Sequence, residues 1–102
     1  MIEHNKLVRD KIPEILKKKN VKHKIHIAKN KEYLQMLYKK LIEEFEEFKK
    51  DPNDEEFCDM LEVLESIGKY HNLDLDEIKE LKKIKKLSNG GFDKKIILDS
   101  TE

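Results

Sequence analysis

Four residues, Asp51-Pro52-Asn53-Asp54, cut an otherwise continuous helical pattern in two. Before them, Leu34, Leu37, Leu41, Phe45 and Phe48 recur at three- and four-residue spacing, which predicts a helix over 31–50 with Asn30 as its cap. Tyr33, Tyr38 and Ile42 widen that apolar arc on both sides, so this helix is expected to meet more than one neighbour. After the break, Phe57, Met60, Leu61, Leu64 and Ile67 form the expected core stripe of a second helix over 54–70. A connection this short makes the two helices antiparallel neighbours.

The flanks add smaller elements. Asp10 is the expected cap of a short helix over 10–19, with Pro13 in its first turn, where a missing N–H does no harm. Val21, His23, Ile25 and Ile27 alternate with Lys22, Lys24 and His26, a period of two that predicts a strand. A third long helix opens at Asp74, with Glu77 as capping-box partner, and stops near Asn89-Gly90-Gly91. Phe92 and Ile96-Ile97-Leu98 make an apolar tail that is expected to pair as a strand with 21–27. The expected architecture is mainly α: an antiparallel helical bundle in one domain, 1–102, with a minimal two-stranded β ribbon.

Composition limits what such a chain does. Of its 102 residues, 43% are charged and 37% hydrophobic, so its own core is modest and a partner chain is expected to complete it. No apolar run is long enough for a membrane span. MIEHNKLVRD has no apolar h-region, so neither a signal peptide nor a membrane partner is expected. A single cysteine, Cys58, excludes an internal disulfide framework and points to a reducing, cytoplasmic setting. Residues 1–31 hold ten Lys/Arg against three acids, and residues 32–65 hold twelve acids against four lysines, yet the whole is neutral. Neutrality argues against nucleic acid as a partner. A basic segment beside an acidic one suits a polyanion held through metal ions. There is no P-loop, Gly-rich dinucleotide motif or nucleophile elbow.

The acids are not spread evenly. With the Leu41/Phe45/Phe48 stripe at zero, Glu44 falls at roughly −60°, Glu47 at roughly −120° and Glu43 at roughly −160°, on one flank. Glu46 falls at roughly +140° on the other. On the second helix, with Phe57 at zero, Glu56 lies at roughly −100° and Asp59 at roughly −160°, on the flank that carries Val63 and Tyr70. Glu62 and Glu65 lie opposite. In an antiparallel hairpin both clusters sit near the closed end and form an all-oxygen set suited to Mg²⁺ or Mn²⁺. The plainer alternative is a solvated, salt-bridged surface.

Glu43-Glu44-Phe45-Glu46-Glu47 followed by Glu56-Phe57-Cys58-Asp59 resembles the ExxE…ExxD signature of the MazG-like all-α nucleoside triphosphate pyrophosphohydrolases. The stretch Asn5 to Glu14 is similar to the N-terminus of a small subgroup of that superfamily, and Asn89-Gly90-Gly91-Phe92 to its C-terminal RGGF segment. Ser88-Asn89 stand where the subgroup has a basic residue. The resemblance implies Mg²⁺-dependent hydrolysis of a nucleoside triphosphate to the monophosphate and pyrophosphate, in a homodimer or homotetramer. It implies Glu44, Glu47, Glu56 and Asp59 as the metal shell, and Glu43 as a ligand or the residue that orients water. A triphosphate also needs cations, for which Lys6, Arg9, Lys11, Lys83 and Lys86 are the candidates. Arg9, the only arginine, suits bidentate phosphate contact or a structural ion pair equally.

Other residues carry less. His23 and His26 would point to opposite faces of a strand, which disfavours a shared metal. Cys58 is expected to be a packed, inert thiol. The alternatives to an enzyme are a non-catalytic helical interaction module and a nucleotide-binding regulatory module.

Overall fold

The computed structural model describes residues 2–102. It contains four helices: α1 (Ile12–Lys18), α2 (Asn30–Lys50), α3 (Asp54–Tyr70) and α4 (Leu75–Asn89). The chain is mainly α, as its periodicity predicts. Asn53 caps α3 by accepting from the Glu56 N–H at 3.0 Å, and its own amide donates to the Asp51 carbonyl at 2.9 Å. The break between the long helices is therefore a built turn. Phe48 and Phe57 meet edge to face across it, with ring centroids 5.8 Å apart. At the open end Tyr33 approaches Tyr70 at 6.1 Å, which fixes α2 and α3 as an antiparallel pair.

Helix ends follow backbone rules more than the expected caps. Asp10 does not cap α1; Lys11 occupies that place without a side-chain bond, because Ile12 N–H already turns back to the Arg9 carbonyl. Asn30 lies inside α2, whose preceding residue is Lys29. Asp74 does cap α4, accepting from the Asp76 and Glu77 N–H groups. Both α1 and α3 end in Schellman motifs with asparagine in the left-handed region, Asn20 at φ 57° and Asn72 at φ 57°. Val21 N–H closes on the Leu16 carbonyl and Leu73 N–H on the Gly68 carbonyl, six residues to one.

Two expectations fail. No strand forms among the described residues, so the 21–27 strand and the two-stranded ribbon are absent. Neither segment has a paired neighbour: Val21, Ile25 and Ile27 stand exposed, as do Ile96, Ile97 and Leu98. An alternating pattern makes a strand only where a partner edge satisfies its backbone groups.

The second failure concerns which faces meet. Phe57, Leu61 and Leu64, expected as the α3 core stripe, are about half exposed at 50%, 47% and 49%, and Phe45 on α2 is likewise exposed. The face of α3 toward α2 instead carries Val63 and half-buried Glu56, Asp59, Ile67 and Tyr70. That face is rotated by about 100° from the Phe57 stripe. On α2 the buried residues are Leu37 and Glu44. Each helix has two apolar arcs, and one hairpin partner covers one arc only. Leu37 and Val63 are the only hydrophobic side chains classed as buried among the described residues. Gly68 lets Leu75, at the start of α4, pack against α3; an added Cβ there would lie 2.9 Å from Leu75 Cδ2. No helix is long and apolar enough to cross a membrane.

Candidate metal centre

The rotation of α2 and α3 turns the acids inward. One carboxylate oxygen each from Glu44, Glu56 and Asp59 lies within 4.8 Å of the others. Glu44, 9% exposed, is the only buried charged residue among the described residues. Glu56 is in the first turn of α3, where the helix dipole favours an acid. The asparagine cap fixes that turn, and Asp59 follows three residues later on the same face. The sequence thus delivers the set through one helix phase on α2 and one capped helix start on α3.

Cations brace two of the three acids. Lys40 Nζ lies 3.4 Å from Glu44 Oε1 and 3.6 Å from Glu43 Oε1. Arg9 Nη2 donates to Asp59 Oδ1 at 2.8 Å, and this bond chiefly holds the guanidinium charged, raising its pKa. Lys6 Nζ reaches Glu43 Oε1 at 3.5 Å. The N-terminal segment is thereby strapped to both helices of the hairpin, by Lys6 to α2 and by Arg9 to α3. Glu56 has no cation within ion-pair distance among the described residues. Its carboxyl is raised above the usual carboxylate range, first by partial burial, then by the charges of Glu44, Asp59 and Glu47 and a hydrogen bond with Glu44. Three crowded carboxylates, one of them without a cationic partner, match the chemistry of a hard divalent ion. Ligand oxygens at about 2.1–2.6 Å from such an ion lie up to about 4–5 Å apart, the spread seen here.

The sequence candidates divide as follows. Glu44, Glu56 and Asp59 come together. Glu43 lies one residue away, paired with Lys6 and Lys40. Glu47 is exposed and outside the close set, near enough to act on Glu56 by charge alone. Lys6 and Arg9 reach the acids directly. Lys11 makes no ion pair with them among the described residues. Lys83 pairs with Glu80 on its own helix at 3.3 Å. α4 joins α3 at the end away from the acids and makes no contact with α2, so neither Lys83 nor Lys86 is brought to the site. Cys58 is exposed, not packed. His26 pairs with Glu32 at 2.9 Å and His23 bonds the Val21 carbonyl, so neither joins an acid cluster.

Lys40 is the residue the sequence reading missed. Its signal was present: it precedes Glu43 and Glu44 by three and four residues, the spacing of helical ion pairs. With Lys6, Lys39 and Glu43 it lines a cavity between the N-terminal segment and α2. In comparisons with known proteins, no family model, no curated protein and no solved structure matches the chain.

Proposed function

We propose that the chain is a Mg²⁺-dependent hydrolase that splits a nucleoside triphosphate into the monophosphate and pyrophosphate, acting as a homodimer or homotetramer. The observation that carries this reading is the convergence of Glu44, Glu56 and Asp59 from two helices, with Glu56 lacking a cationic partner among the described residues. The acid and flanking motifs that resemble the MazG-like superfamily support it. Glu44, Glu56 and Asp59 hold the ion, Mg²⁺ or Mn²⁺, and Glu47 sits at the margin of the shell. When bound, the ion supplies charge neutralisation at phosphate oxygens and a more acidic water. Glu43, held by Lys6 and Lys40 beside the triad, would serve as a further ligand or as the carboxylate that orients water. Lys6, Lys40 and Arg9 border the acids and supply the cationic contacts a polyphosphate needs.

The test is a pyrophosphate-release screen over standard and damaged nucleoside triphosphates, with Mg²⁺ and with EDTA. Turnover is expected only with the metal. Glu44→Gln and Asp59→Asn should abolish it, and Glu46→Gln, whose carboxylate pairs with Lys49, should leave it near wild type. Full turnover in EDTA, or equal small losses in all three variants, would return the acids to surface charge and favour an interaction module. Nucleotide binding without turnover would favour a regulatory binder.

A further inference from the structure

The N-terminal segment is held across the acids by two bonds and little else. Residues 3–11 are exposed apart from half-buried Leu7, and α1 beyond them contacts no other helix. Among the described residues, Lys6–Glu43 and Arg9–Asp59 are the only side-chain bonds from residues 2–20 to the hairpin. Each of these four side chains is more than a third exposed, so both pairs are weak ties. The Arg9 tie differs in where it lands. Asp59 belongs to the three acids whose oxygens converge, and the guanidinium already draws on its charge from 2.8 Å.

We infer that Arg9 competes with a divalent ion for Asp59, so that the ion releases the 5–9 segment from α3 and frees the guanidinium for substrate phosphate. This rests on the metal reading proposed above. An ion ligated by Asp59 stands within about 7 Å of the Arg9 nitrogen whichever carboxylate oxygen it takes, inside one Debye length. Ion and guanidinium repel each other there and draw on one carboxylate charge, and the exposed side-chain pair is the weaker claim. A guanidinium fits carboxylate and phosphate with the same planar fork, so the freed Arg9 has a partner in a polyphosphate. Release also widens the cavity under the segment, which Asn5, Lys6 and Leu7 line together with Lys39 and Lys40. By linkage, Arg9 weakens ion binding by the same factor with which the ion weakens the Arg9–Asp59 bond.

The experiment uses the full chain and Mg²⁺ alone, without nucleotide. Arg9 is the only arginine, so its guanidinium gives a single set of nitrogen-correlated NMR signals. Asp59→Asn without metal marks where those signals fall when the pair is broken. Adding Mg²⁺ to the wild type should move them to that position, over the same concentration range in which calorimetry shows the ion binding. Arg9→Gln should bind Mg²⁺ about two- to fivefold more tightly than wild type, the range an exposed ion pair is worth. Lys82→Gln, which removes an equal charge from exposed α4, should bind as wild type does. Mg²⁺ binding with the Arg9 signals left in place overturns the inference and leaves the metal reading standing. So does an Arg9→Gln no tighter than wild type, or equal tightening in Lys82→Gln. No binding by wild type or by Arg9→Gln removes the metal reading and the inference with it.

Discussion

Lys40 stands between two acids that would otherwise repel each other, and its ammonium is the nearest positive charge to buried Glu44. Lys40→Gln keeps length and polarity but leaves Glu44 without its ion pair, so it should cost about 1–3 kcal/mol in urea unfolding without metal. The Arg9–Asp59 pair is more exposed, and Arg9→Ala should cost no more than about 1 kcal/mol. A large fall in turnover in that variant would therefore come from lost substrate contact and not from unfolding. Glu56 behaves in the opposite sense. Its raised folded-state pKa means the folded protein binds its proton more tightly than the unfolded chain does. The penalty for its charge is absent below the unfolded value and fully present above the folded one. In EDTA, Glu56→Gln should therefore melt higher than wild type at neutral pH. The gap should close as pH falls through the raised Glu56 value; a pH-independent gap would contradict the assignment.

The helices were legible because a 3.6-residue period is a local property, and Asn53 and Asp74 announce their starts chemically. Which face of each helix turns inward was not legible. α2 and α3 each carry two apolar arcs, and the choice between them depends on the partner, a contact distant in sequence. The triad's members were among the five acids that spacing places on two flanks, but spacing did not single them out from Glu43 and Glu47, and the Arg9–Asp59 bond joins residues 50 apart and leaves no periodic trace. The 21–27 segment misled for the related reason that alternation records a facing pattern and not the presence of a neighbouring edge. The observed faces make a test at this scale. Leu37 is 2% exposed in the α2–α3 contact, so Leu37→Ala should cost about 2–5 kcal/mol. Phe57 and Leu61, half in solvent, have less to lose within one chain. Equal losses at Leu37 and Leu61 in a dissociated sample would mean that the Phe57 stripe is the inward face after all.

At the scale of the whole molecule, one chain does not make a compact body. Its radius of gyration is 18.3 Å and its extents are 60 × 31 × 27 Å. A chain of about 100 residues folded on itself has a radius near 13 Å. Tyr38, Ile42, Phe45, Phe57, Leu61 and Leu64 remain exposed along the hairpin, far more apolar surface than scattered outward residues supply. The acids of the candidate site lie where the two helices face each other and not on the exposed apolar stripe, so closing that stripe against a second copy, as proposed, would keep the triad's carboxylates out of the contact while stiffening the helices that build it. Leu61→Asp with Leu64→Asp should break that contact without touching any carboxylate of the triad. Light scattering should show the wild type as a multimer and the double variant as a monomer at micromolar concentration. Mg²⁺ should raise the wild-type melting temperature, as any ligand selective for the folded state does. It should do so less in the double variant, whose hairpin holds Glu44 and Asp59 less firmly. A monomeric wild type would sink the argument, and so would a double variant that stays assembled, because either result would show that this flank is not where copies meet.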